Sequence, residues 1–188
     1  NLVISITNFE FLKTATREVA IKSSDELELK NTISLIYKMS IFIGIIGALF
    51  SIIFSKYLSF LTFGTYNKQY WFIILAFYFF ITSLSNARIS IIQGLNKIKI
   101  VAISNIIASF FIAIGTILIF YFYKIEGIIW VSLYSSIILF LVNYYFTKEY
   151  KFTVFPLNFK EFFANSLPTF KLGFLMSLNL IFGQICYF

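Results

Sequence analysis

The sequence predicts an all-α protein, a polytopic bundle of transmembrane helices that is incomplete at both ends. Three observations carry this. The chain of 188 residues is 60% hydrophobic and 21% aromatic but only 12% charged, against about 25% charged in a typical soluble domain. Uncharged runs recur that approach or reach the length needed to cross a hydrocarbon core of roughly 30 Å. The basic residues gather between those runs, where they set orientation and meet anionic headgroups. A soluble fold of this size has no interior for 26 phenylalanines. The net charge of +7 is therefore read as topological, and nucleic acid is not expected as a partner.

Asn1–Phe9 is apolar but too short to span alone, and reads as the exit end of a helix. Phe11–Lys22 continues it with Lys13, Arg17 and Lys22. Ser23-Ser24-Asp25-Glu26 fits a capping box, with Ser23 as N-cap and Glu26 three residues on. Met39–Ser55 is uncharged, Lys56 follows, and Tyr57 supplies an interfacial anchor. Gly64, Asn67 and Lys68 mark a turn.

Gln69–Ala87 then runs without a charge from the aromatic pair Tyr70 and Trp71, meets Arg88, and closes on Gln93-Gly94-Leu95-Asn96-Lys97. At 1.5 Å per residue it nearly crosses the bilayer core. Ile100–Tyr123 and Ile128–Thr147 are further full runs, separated by the tight turn Lys124-Ile125-Glu126-Gly127. After Lys148 the chain is more polar, and Pro156 interrupts it. Phe159, Phe162, Phe163 and Leu167 share one helical face there, which suggests a surface-lying amphipathic helix. Leu172–Phe188 begins another span. The chain thus divides into 1–150, with spans at about 39–61, 69–93, 100–123 and 128–147, and 151–188, an amphipathic linker and the start of the next transmembrane helix. It opens and closes inside apolar segments, and is expected to be a piece of a longer membrane protein.

Orientation follows from the basic residues. The loops near 13–38, 93–99 and 148–171, with Arg88, hold twelve lysines and arginines, and the opposite side holds Lys56, Lys68 and Lys124. The first side is expected to be cytoplasmic.

Small and polar residues line one face of each span. Ser40, Gly44, Gly47/Ala48, Ser51 and Ser55 form one stripe, and Ala102, Asn105, Ser109, Ala113 and Thr116 another, both expected to pack helices. Ser132, Ser136 and Asn143 form a third. On 69–93 the stripe is longer and more polar: Thr82, Asn86, Ser90, Gln93 and Lys97. It either packs helices or lines a polar pathway. Arg88 lies roughly 200° away, by the 100° per residue of a helix. It either snorkels to lipid phosphates or presents an anion-binding charge to a cavity, and it cannot share a cavity with the stripe.

No catalytic constellation is present, and the protein is not expected to be an enzyme. Histidine is absent and Cys186 is the only cysteine, so no metal centre or cofactor site is expected. Asp25, Glu26 and Glu28 sit in a charged loop, and no carboxylate lies deep in a span.

Several segments together resemble the bacterial O-antigen flippases, the polysaccharide-exporter branch of the multidrug/oligosaccharidyl-lipid/polysaccharide exporter superfamily. They are Phe11–Ala20 (FLKTATREVA), Leu61-Thr62-Phe63-Gly64, Ile92–Lys99 (IQGLNKIK), Lys124–Ile128 (KIEGI) and Lys171-Leu172-Gly173-Phe174. The resemblance covers nearly the whole chain in order, and the Gln-Gly-Leu turn with its basic residues is its best motif. It implies a larger protein of two six-helix lobes. Residues 1–150 would be most of the N-terminal lobe, in the bacterial inner membrane. It implies flipping of undecaprenyl-pyrophosphate-linked oligosaccharide from the cytoplasmic to the periplasmic leaflet for surface polysaccharide, with the bilayer and polysaccharide-assembly proteins as further partners. Cationic residues hold the pyrophosphate in such proteins, which makes Arg17 and Arg88 candidates beside the stripe residues Asn86 and Gln93. The alternatives are a cation-coupled multidrug exporter of the same superfamily and a truncated fragment without transport.

Overall fold

The computed structural model describes residues 13–148. The helix end expected at 1–9 and the linker and further span expected at 151–188 lie outside the described residues. Among the described residues the chain is helical, with no strand.

Helix α1 covers residues 13–21. Ser23 does not cap the next helix, as the capping-box spacing suggests. Its Oγ donates back to Ala20 O at 2.8 Å and finishes α1. Asp25 is the N-cap of α2 (Glu26–Ile53), with extended backbone and a carboxylate that accepts from Leu27 N at 2.8 Å and Glu28 N at 3.3 Å. A carboxylate at this position gains from the helix dipole as well as from the hydrogen bonds, which a serine hydroxyl does not. Glu26 turns instead to Lys30, at 2.6 Å.

The helix that carries the first span starts at this cap, well before the uncharged run at Met39. It also stops early. Phe54 (φ −89°, ψ 7°) interrupts the helix without glycine or proline, and the short α3 (Ser55–Phe63) follows. Gly64 ends α3 in the left-handed conformation (φ 67°), where its N–H bonds Phe60 O at 2.8 Å.

Helix α4 (Gln69–Gly94) ends differently. The left-handed residue is Asn96 (φ 58°), not Gly94. Asn96 N bonds Gln93 O at 2.9 Å and Lys97 N bonds Ile92 O at 3.1 Å, which is the paired bonding of a Schellman cap. Helix α5 (Ile98–Tyr123) passes through a 3-10 turn, Lys124–Glu126, into α6 (Gly127–Thr147).

Helices α2, α4, α5 and α6 are each long and apolar enough to cross a membrane. Their outer surfaces carry large apolar side chains such as Ile53, Ile106, Phe110, Ile117 and Phe122, a surface that suits lipid and not water. The protein is a multi-pass membrane protein.

The helices pack as α2 on α4, α4 on α6 and α6 on α5, so α6 lies between two helices that are neighbours in sequence. Small residues make these approaches possible. At the α2–α4 seam, Ser83 Oγ donates to Ser40 O at 2.7 Å and Ser40 Oγ donates to Ser83 O. One turn on, Gly44 faces Phe80 and Ser83, and Ser51 Oγ donates to Phe72 O at 2.6 Å. The stripe on α2 therefore packs a helix. The α5–α6 seam uses a ring: Tyr134 lies over Gly115 and donates to Phe111 O at 3.0 Å. At the end of the bundle that carries most of the basic residues, Ala15 and Val19 of α1 join Ile36, Tyr37, Ala87 and Ile91 in a buried cluster.

Candidate functional site

The two faces of α4 near its C-terminal end hold the residues of interest in different settings. On one, a cleft of about 530 Å³ opens between α1 and α4. Lys13, Thr16, Arg17 and Ala20 line it from α1, and Asn86, Ile89 and Gln93 from α4. Three of the four candidates, Arg17, Asn86 and Gln93, thus share one cleft. Asn86, Ile89 and Gln93 lie at i, i+3 and i+7, so they fall along one line of the helix. Lys13 and Arg17 are one turn apart on α1 and face the same space.

The close approach of the two helices rests on Gly94. A Cβ there would come within 2.5 Å of Val19 Cβ and 2.7 Å of Thr16 O. The glycine in the Gln-Gly-Leu turn is thus needed for helix contact, while Asn96 makes the turn. With α1 seated, its cationic residues stand opposite the amides of α4.

Arg88 does not line this cleft. It is half-buried and points toward α6 and α2. Its Nη1 donates to Thr147 Oγ1 at 2.8 Å. The guanidinium carbon lies 4.6 Å from the ring centre of Tyr144, 5.7 Å from that of Tyr37 and 5.9 Å from that of Phe140, all within cation–π range. Thr147 in turn donates to Asn143 O at 2.6 Å, and the buried Asn143 Nδ2 donates to Ser85 Oγ at 2.9 Å. Arg88 therefore ties three helices together in an aromatic setting.

Lys13 is the cleft residue that sequence reasoning missed. The signal was present in the four-residue spacing of Lys13 and Arg17, but it counted only toward topology. The separation of Arg88 from the polar stripe follows directly from the helical angle. Its partners do not, since Thr147 is 59 residues away in the chain.

Chemically, the cleft offers two cations and two carboxamides beside the apolar Ile89. Lys and Arg bind phosphate oxygens, and Asn and Gln both donate to and accept from hydroxyl groups. Among the described residues no carboxylate lines it. Among the described residues no group of three or more His, Cys, Asp or Glu side chains could hold a metal ion.

No curated protein and no solved structure gives a significant match. The family described as polysaccharide biosynthesis protein matches residues 1–188, and with the whole chain covered, the protein belongs to that family.

Proposed function

We propose that this chain is part of a flippase that moves undecaprenyl-pyrophosphate-linked oligosaccharide from the cytoplasmic to the periplasmic leaflet of a bacterial inner membrane, for surface polysaccharide or O-antigen synthesis. One observation carries the reading within the family: Arg17 and Lys13 face Asn86 and Gln93 across one cleft. In this reading Arg17 and Lys13 hold the pyrophosphate through charge-assisted hydrogen bonds. Asn86 and Gln93 bond sugar hydroxyls, and the isoprenoid tail stays in the bilayer. Arg88 stands apart from the site and joins α4 to α6. With the basic loops read as cytoplasmic, the cleft lies at the cytoplasmic end, where a substrate made in the cytoplasm would enter. Proteins of polysaccharide assembly would receive the product.

The test is deletion of the gene for the full-length protein, with complementation by variants. Surface polysaccharide, lipid-linked repeat units and drug susceptibility are measured in one strain. The expected result is loss of surface polysaccharide with repeat units retained on the inner leaflet, restored by the wild type and not by Arg17→Ala. Normal polysaccharide with raised drug sensitivity would make the protein a multidrug exporter. No change in either would mark a fragment without transport.

A further inference from the structure

We infer that α3 is an interface-lying helix, seated in the headgroup region of the leaflet opposite the basic loops, and that its partner is the phospholipid surface itself. Helix α2 has 28 residues and α3 has nine. Laid end to end they would reach well over 50 Å, against a hydrocarbon core of roughly 30 Å. The helix is interrupted at Phe54, whose ψ of 7° departs from helical values.

The direction of α3 can be read from its contacts. Ser51, before the break, donates to Phe72 O at 2.6 Å. Phe63, the last residue of α3, returns to the same level of α4: its ring centre is 6.5 Å from that of Phe72 and 5.2 Å from that of Trp71. A chain that leaves and regains one level of α4 over the whole of α3 runs across the bundle, not along it. The turn that follows is pinned down as well. Ser59 Oγ donates to Thr65 O at 2.7 Å, and the Phe60 and Tyr66 rings stack at 5.1 Å.

The faces of α3 are unlike. Ser55 and Ser59 are buried on one side. Tyr57, Phe60 and Leu61 lie opposite and are exposed. Lys56 sits on the flank of α3. Lys68 lies over the Trp71 ring at 4.3 Å and the Phe63 ring at 4.9 Å. Between Glu28 and Glu126 the sequence has no acidic residue, so these lysines have no carboxylate nearby in the chain. Aromatic rings mixed with lysine at the end of a span are what the headgroup layer favours: rings at the boundary, ammonium groups toward phosphate. Charge complementarity therefore commits the surface to lipid phosphate.

The test is depth measurement on the full-length protein in vesicles of phosphatidylethanolamine and phosphatidylglycerol. Cys186 and any further cysteine of the full-length protein are replaced by serine, and a spin label is placed at Tyr57→Cys or Leu61→Cys. Along a helix parallel to the membrane normal, these positions differ in depth by about 6 Å. The expected result is one common depth, at the headgroup–acyl boundary. A difference near 6 Å would overturn the inference. So would labels that see only water, or labels shielded from both water and lipid, which would mean that protein covers this face. The pair Lys56→Cys and Phe60→Cys repeats the measurement from the helix flank, should Tyr57→Cys fail to fold.

Discussion

Arg17 and Arg88 lie near the same end of the bundle, on opposite sides of α4, and their surroundings could hardly differ more. Arg88 is enclosed by Tyr144, Tyr37 and Phe140 and bonded to Thr147. Arg17 is exposed in a cleft beside Lys13 and two carboxamides. An arginine in or near a membrane helix thus has two uses. Surrounded by rings and hydroxyls it joins helices; left at the wall of an open cleft it can meet a ligand. The distinction lies in what the neighbouring helices bring, and the cleft of about 530 Å³ has room for a phosphate.

The largest effect on this contrast is expected from Gly94→Ala. The new methyl group would meet Val19 Cβ at 2.5 Å and the Thr16 carbonyl at 2.7 Å. The carbonyl is backbone and cannot rotate away, so α1 must move. Overpacking of this kind costs about 1–3 kcal/mol, and here it also displaces Lys13 and Arg17 from the amides opposite. We expect lower thermal stability in detergent and loss of transport, with the Arg88 side retained. Wild-type stability would mean that α1 is not held against α4 as described.

The arginines themselves come next. Arg88→Ala should cost about 2 kcal/mol of stability, from a charged hydrogen bond and ring contacts. Transport should fall only as folded protein falls. Arg88→Lys should recover little, because an ammonium does not reproduce the planar guanidinium. Arg17→Ala should leave stability within about 0.5 kcal/mol, as at other exposed sites, and, if Arg17 holds the substrate as proposed, reduce transport by about tenfold or more. Melting curves and transport rates on the same preparations separate the two. If both variants behaved alike, the two sides of α4 would not have distinct roles.

How much of this was legible in the sequence depends on the range of the interaction. The all-helical membrane class is legible because a bilayer demands long apolar runs, and composition alone reveals them. The line of Asn86 and Gln93 is legible from local periodicity, as is the opposed direction of Arg88. What local pattern cannot carry is tertiary. The stripes of small and polar residues mark a packing face on each span but not which helix meets it, so no local pattern says that α6 would lie between α4 and α5. The break at Phe54 has no glycine or proline to announce it. It goes with a tie to the next long helix, Ser51 to Phe72, and one across the following turn, Ser59 to Thr65. At Ser23-Ser24-Asp25 three good capping residues are adjacent, and their order of preference was decided by charge.

A finer comparison uses two small hydroxyls on α4. Ser85, on the Arg88 side, is fully buried and accepts a hydrogen bond from Asn143 Nδ2 at 2.9 Å. Thr82, one turn earlier in the stripe of Asn86 and Gln93, has a buried Oγ1 with no hydrogen-bond partner among the described residues. Inter-helix hydrogen bonds in membranes average about 0.6 kcal/mol, so Ser85→Ala should destabilise by about that amount. Thr82→Val keeps the branched shape and removes only an unsatisfied hydroxyl, so it should be neutral or slightly stabilising. Detergent unfolding of the pair would show whether polar groups in this bundle are bonded for stability on one side of α4 and held unbonded on the other. If Thr82→Val proved the more damaging substitution, the Thr82 hydroxyl would have a partner in the folded protein, and the contrast between the two sides would shrink to the arginines alone.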